Sequence, residues 1–175
     1  FLTGEPFAVT VGQTSSFQLE AQDPSSGLDR ISFDVPCGSI PDLDFTAETS
    51  VQTPTVNWTV PADCRTLGSQ QIVATGHDES GNTSSDTLSL TVSDTTAPVA
   101  AWINTPPGTV SIANGVSLTA RGTDSASGVQ SLTFSVLAEN GTFVPTSIDV
   151  AGAPTSADRS STYSAPNDAQ HDAAV

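Results

Sequence analysis

Short runs in which apolar and polar residues alternate recur along the chain. Phe7 to Val11, Ser16 to Ala21, Ile31 to Val35, Val56 to Val60, Gln71 to Thr75 and Thr87 to Val92 all follow this pattern. Successive side chains of a strand point to opposite faces, so a period of two predicts strands with one face buried. Val110 to Ile112, Val116 to Ala120, Ser131 to Leu137 and Thr142 to Val144 continue it. Asn140-Gly141 predicts a type I′ hairpin between the last two runs. Pro and Gly punctuate the chain too often for a helix of three turns. The pattern predicts an all-β protein, with strands spaced as in a sandwich.

The pattern also occurs twice. Asp23-Pro-Ser-Ser-Gly27 followed by Phe33 and Val35 is echoed by Asp124-Ser-Ala-Ser-Gly128 followed by Phe134 and Val136, an offset of 101 residues (Gly27 to Gly128). The register runs back without a gap to Pro6 and Pro107, with Val9 on Val110 and Phe17 on Leu118. A repeat of this length is a duplicated domain rather than a solenoid unit. The predicted domains are residues 1–97 and 98–175. Asp94-Thr-Thr-Ala-Pro-Val99 lies between them as a linker, which the fixed φ of Pro98 stiffens. The domains are therefore expected end to end. Trp58-Thr-Val-Pro61-Ala-Asp63 is echoed by Tyr163-Ser-Ala-Pro166-Asn-Asp168. The first copy goes on to carry two further strands, whereas only Ala169 to Val175 remain after the second match. The second domain is expected to lack its last two strands in this chain.

Charge narrows the partners. Nineteen acidic residues face four cationic ones, all arginine (Arg30, Arg65, Arg121 and Arg159), for a formal net charge of −15. Nucleic acid is excluded as a partner, because phosphate binding needs clustered Lys and Arg. Docking on an anionic membrane is excluded on the same ground. No apolar run approaches the roughly 18 residues that span a bilayer. The regular Val, Ile, Leu and Phe spacing argues against a disordered acidic chain. The abrupt start at Phe1 reads as mature or trimmed material.

The chain resembles the bacterial and archaeal immunoglobulin-like repeats found in tandem on large cell-surface and secreted proteins. The linker Asp94 to Val99, the Asp-x-x-x-Gly turns at Asp23 and Asp124, and the pairs Phe33/Val35 and Phe134/Val136 carry the resemblance. Asp78-Glu-Ser-Gly-Asn82, followed by the run Leu88 to Val92, matches the turn that joins the last two strands of such repeats. The resemblance implies two tandem immunoglobulin-like β-sandwiches, secreted or exposed on a cell or virion surface. It specifies function poorly, since such modules serve as stalks, adhesin segments and enzyme appendages alike.

On that topology Cys37 follows the third strand and Cys64 follows the strand of Trp58, at the same pole of the first domain. A Cys37–Cys64 disulfide is favoured over two free thiols; closing the loop would add roughly 3 kcal/mol and implies an oxidising compartment. Neither His77 nor His171 falls at metal-ligand spacing with the cysteines. The topology also places Asp23, Asp78 and Glu79 beside Glu5, and Asp124 beside Asp94. Carboxylates converging at a domain junction would suit calcium; the competing reading is turn chemistry alone, since Asp and Ser bond to nearby backbone. No cofactor is required. The sequons at Asn57, Asn82 and Asn140 are candidate glycosylation sites on outward or turn positions. Trp58 and Tyr163 are expected in the two cores, and Trp102 near the junction or on the surface. No nucleophile turn, phosphate loop or zinc motif is present.

These readings converge on a non-catalytic structural module of an extracellular or surface assembly: a stalk, surface layer, filament or adhesin repeat acting as a rigid spacer. Its expected partners are neighbouring repeats of the same polypeptide or further copies. An incomplete second domain would offer strand edges for polymerisation by β-strand addition. The alternative is an accessory module of a secreted enzyme that binds polysaccharide.

Overall fold

Every regular element among the described residues is a β-strand. The computed structural model describes residues 2–3, 7–107, 109–110, 114–136 and 141–165, the first two by backbone alone. The chain forms two units, Phe1–Thr95 and Thr96–Val175, parting two residues before the sequence boundary at 97/98.

Among its described residues unit 1 holds eight strands: β1 Leu2–Thr3, β2 Phe7–Thr10, β3 Thr14–Leu19, β4 Leu28–Asp34, β5 Leu43–Glu48, β6 Thr55–Thr59, β7 Gly68–Asp78 and β8 Thr83–Ser93. One sheet has the order β1-β3-β6 and the other β2-β8-β7-β4-β5. Three strands facing five in this order is the immunoglobulin-type sandwich. All pairings are antiparallel except β2 with β8. Between the sheets the alternating residues meet: Phe17 and Leu19 of β3, Val56 and Trp58 of β6, Ile72 and Ala74 of β7, and Leu88, Leu90 and Val92 of β8 are buried. Trp58 is fully buried, and its indole N–H donates to the Cys37 carbonyl at 3.1 Å. This bond supplies the partner that a buried indole requires.

The expected run from Ser16 to Ala21 stops at Leu19 as regular strand. Its partner opposite that point is Pro54, whose carbonyl accepts the Leu19 N–H at 3.3 Å but which has no N–H to return. Pairing resumes as a single bridge between Ala21 and Gln52. The run Gln71 to Thr75 lies inside the longer β7.

Unit 2 holds β9 Val99–Trp102, β10 Val116–Thr123, β11 Ser131–Thr133, β12 Thr142–Val144, β13 Ser147–Asp149 and β14 Ser156–Ser164. They form one sheet of order β12-β14-β10-β9 and a second of β11-β13. Leu118, Leu132, Phe134, Phe143 and Tyr163 build its core. Four rings form a chain through it: Trp102 to Phe134 at 5.8 Å, Phe134 to Phe143 at 5.6 Å, and Phe143 to Tyr163 at 5.4 Å between centroids. In unit 1, β4 lies between β7 and β5; its counterpart β11 pairs with β13 alone among the described residues. Counterparts of β7 and β8 do not occur among the described residues of unit 2.

The hairpin expected at Asn140-Gly141 is corrected. Phe143 pairs with Tyr163 in one sheet, while Leu132 pairs with Ile148 in the other. Both Phe134 and Phe143 are buried, and burying the two rings against each other sends the chain from one sheet to the other. The expected strand Ser131 to Leu137 accordingly ends at Thr133. Asn140 and Leu137 lie outside the described residues, as do Ser111 and Ile112 of the expected run beginning at Val110.

Candidate functional site

The duplicated Asp-x-x-Ser-Gly turn is built the same way in both units. In unit 1, Asp23 Oδ1 accepts from the Ser25 N–H at 2.8 Å, the Ser25 hydroxyl at 2.9 Å and the Ser26 N–H at 3.1 Å. In unit 2, Asp124 Oδ1 accepts from the N–H groups of Ala126 and Gly128, each at 3.0 Å, and the Ser127 hydroxyl donates to Oδ2 at 3.2 Å. A glycine closes each turn because the backbone there is left-handed, with φ of +85° at Gly27 and +80° at Gly128. A Cβ on Gly27 would also lie 2.5 Å from the Ala47 carbonyl oxygen. At Gly128 it would collide with the Ala153 carbonyl.

Asp23 and Asp78 are brought together, as the topology predicts, through Ser26. The Ser26 hydroxyl lies 3.1 Å from Asp23 Oδ2 and 2.7 Å from Asp78 Oδ2. Asp78 also accepts from the Asn82 N–H at 2.6 Å and its side-chain amide at 2.7 Å, bracing the β7–β8 turn. These donors favour the ionised carboxylates. The Ser25 and Ser26 bonds pull Asp23 from the ordinary value of 3.8 to about 2, and the Asn82 and Ser26 side chains lower Asp78. Glu79 approaches the same corner through its N–H, which donates to the Gly27 carbonyl at 3.4 Å. Glu5 lies outside the described residues. Asp94 falls in unit 1 and Asp124 in unit 2. Among the described residues no three His, Cys, Asp or Glu side chains gather as metal ligands. The bonds that Asp23 and Asp124 accept come from within their own turns, whereas Asp78 also accepts from Ser26, 52 residues away in sequence.

At the same side of unit 1 a cleft of about 410 Å³ opens between the sheets. Residues 19–23 form one wall and residues 82–86 the other. Leu19, Leu28, Ile31 and Ala74 are its buried lining, while Asp23, Asp78 and Asp86 give it an acidic rim. The sequence reading did not find this cleft. Ala21, small and half-exposed, lies on its wall, two residues beyond the end of β3.

The cysteines form the expected bond, Cys37–Cys64, with Cα atoms 5.9 Å apart. It joins the end of β4 to the loop after β6, directly over Trp58 through the Cys37 carbonyl. Asn57 is exposed and accepts from the Ser16 hydroxyl at 2.6 Å; Asn82 is exposed in its turn; Asn140 lies outside the described residues. Trp58 and Tyr163 are both fully buried, and Trp102 is 46% exposed while leaning on Phe134.

A serine–histidine contact also escaped the sequence reading. His77 Nε2 lies 3.0 Å from Ser32 Oγ and 3.4 Å from an Arg30 guanidinium nitrogen, and Arg30 is paired with Asp42.

No family model matches the chain, and no curated protein matches it. Among solved structures it is similar to fibronectin(III)-like modules of CbhA from Clostridium thermocellum, at 16% identity over 54% of this chain and 96% of that one, TM-score 0.39. It is also similar to the SrpA adhesin of Streptococcus sanguinis, at 18% identity over 54% of this chain and 55% of that one, TM-score 0.40. The sialic acid binding region of another Streptococcus sanguinis adhesin is 12% identical over 82% of this chain and 54% of that one, TM-score 0.39. The alignments thus span little more than half of either adhesin chain. Likenesses this distant carry no weight for what this chain binds.

Proposed function

We propose that the chain is a non-catalytic structural module of an extracellular or surface-exposed assembly, acting as a spacer that sets the distance between its neighbours. The supporting observation is the serial arrangement: two β-units each carry an Asp-x-x-Ser-Gly turn and follow each other directly in the chain, parting at Thr95/Thr96. The disulfide fits an oxidising compartment. A net charge of −15 keeps such an array soluble and its units mutually repelling. The polysaccharide reading has little support, because sugar binding uses rows of exposed aromatic faces, and with Trp58 and Tyr163 fully buried Trp102 alone of the Trp and Tyr residues is exposed.

Small-angle scattering on the intact chain tests the spacer reading. A spacer has a maximum dimension near the summed lengths of two sandwiches, and this dimension holds between low and physiological salt. A dimension that collapses as salt screens the repulsion would mean two freely tumbling units and would remove the spacer reading. Retention on insoluble polysaccharides, measured beside it, would replace it with the accessory-module reading.

A further inference from the structure

The cleft of unit 1 combines an apolar floor with a charged rim. Leu19, Leu28, Ile31 and Ala74 form the floor, and all four are buried. Asp23, Asp78 and Asp86 stand at the rim, and among the described residues no lysine or arginine lines the cleft. The groups that hydrogen-bond Asp23 and Asp78 are serine hydroxyls, backbone N–H groups and the Asn82 amide, all of them neutral. They fix the two carboxylates in place without cancelling their charge. The Ser26 hydroxyl lies within reach of both Asp23 Oδ2 and Asp78 Oδ2, yet it has one proton to donate. Two negative groups are thus held side by side at the opening of an apolar hollow. Its volume of about 410 Å³ falls within the range of ligand-sized pockets, roughly 300–1,000 Å³.

We propose that this cleft receives a basic and apolar segment of a partner protein. One aliphatic side chain of the segment sits on the floor, and lysine or arginine on either side of it meets the rim. Depth decides this arrangement. The carboxylates stand at the opening, so a cation entering first would pass them and lie on Leu28 and Ile31, at a desolvation cost that the apolar floor does not offset. An aliphatic side chain entering first leaves its flanking cations at the opening, beside Asp23 and Asp78. A second copy of this chain does not suit the site, because two bodies of charge −15 repel and the chain has no lysine to offer. The same field favours a segment with several cations over an amine with one, since each cation adds to the attraction. The site goes beyond the spacer reading and does not depend on it.

The test titrates the full chain with the peptide acetyl-Lys-Lys-Leu-Lys-Lys-amide and follows the methyl resonances of Leu28, Ile31 and Ala74. Saturable shifts at these floor methyls are expected. Two control peptides, one with Ser in place of the Leu and one with Gln in place of every Lys, should each bind at least about ten-fold more weakly. Equal binding of the Ser peptide would reduce the attraction to diffuse charge, and equal binding of the Gln peptide would reduce it to apolar filling. Isopentylammonium bound as tightly as the Leu peptide would make the ligand a free amine. Each of these three results overturns the proposal. Asp78→Asn should weaken the Leu peptide several-fold, and unchanged binding in a folded Asp78→Asn chain also overturns it. If that variant does not fold, the comparison of peptides on the unaltered chain decides alone. Scattering tests the spacer reading separately, so failure of one is distinguishable from failure of the other.

Discussion

Asp23 and Asp78 are held ionised by hydrogen bonds from Ser25, Ser26 and Asn82, and this ties the stability of unit 1 to acidity. A carboxyl whose folded pKa lies below its unfolded one binds fewer protons in the folded state. Its contribution is complete above the unfolded value of 3.8 and is lost as pH falls toward the folded value of about 2. The unfolding midpoint of unit 1 should therefore drop on acidification through this window. Asp23→Asn should make the drop shallower; an unchanged pH profile in a thermal-melt series would refute the assignment. Gly27 gives a second expectation. With φ at +85° and the Ala47 carbonyl 2.5 Å from any Cβ, Gly27→Ala should cost roughly 2 kcal/mol or more in a denaturant titration. Both residues were legible in the sequence, because a turn repeated at a constant offset marks a demanding backbone. The link between Asp23 and Asp78 through Ser26 was not, since Ser26 and Asp78 meet only when β4 pairs with β7.

Among the elements, β6 and β8 were plain in the sequence because each buries alternate residues against the opposite sheet. The strand β5 was not, because only its Leu43 and Phe45 are even half-buried and an edge strand needs little apolar pattern. The sheet switch between β11 and β12 was misread as a hairpin, for a two-residue turn signal is local while the choice of sheet depends on where Phe134 and Phe143 find each other. The disulfide ties β4 to the loop after β6 across 27 residues. Reduction, or Cys64→Ser, should therefore destabilise unit 1 by about 3–4 kcal/mol in the loop-entropy account. Equilibrium unfolding followed by fluorescence with and without reductant checks this, and a shift below about 1 kcal/mol would show that the β4 end is held by Trp58 and its core neighbours instead.

For the whole molecule the dominant fact is a charge of −15 with no lysine to offset it. Surface charges repel over a distance that falls from about 30 Å at 0.01 M salt to about 8 Å at 0.15 M. The unfolding midpoint should rise across that range and then level off, because compact folding concentrates the repulsion that salt screens. A midpoint indifferent to salt would mean that paired charges such as Arg121 and Asp158, 2.7 Å apart, outweigh the net excess. By itself the amino-acid sequence determined the all-β class, the core positions of Trp58 and Tyr163 and the pairing of Cys37 with Cys64, because periodicity and residue chemistry are local properties. Only the tertiary structure decided that Ser26 bridges two aspartates, that β11 and β12 enter different sheets, and that a cleft runs beside Ala21. Each of these depends on which edges and side chains the packing of two sheets brings together, and no local run of residues encodes that.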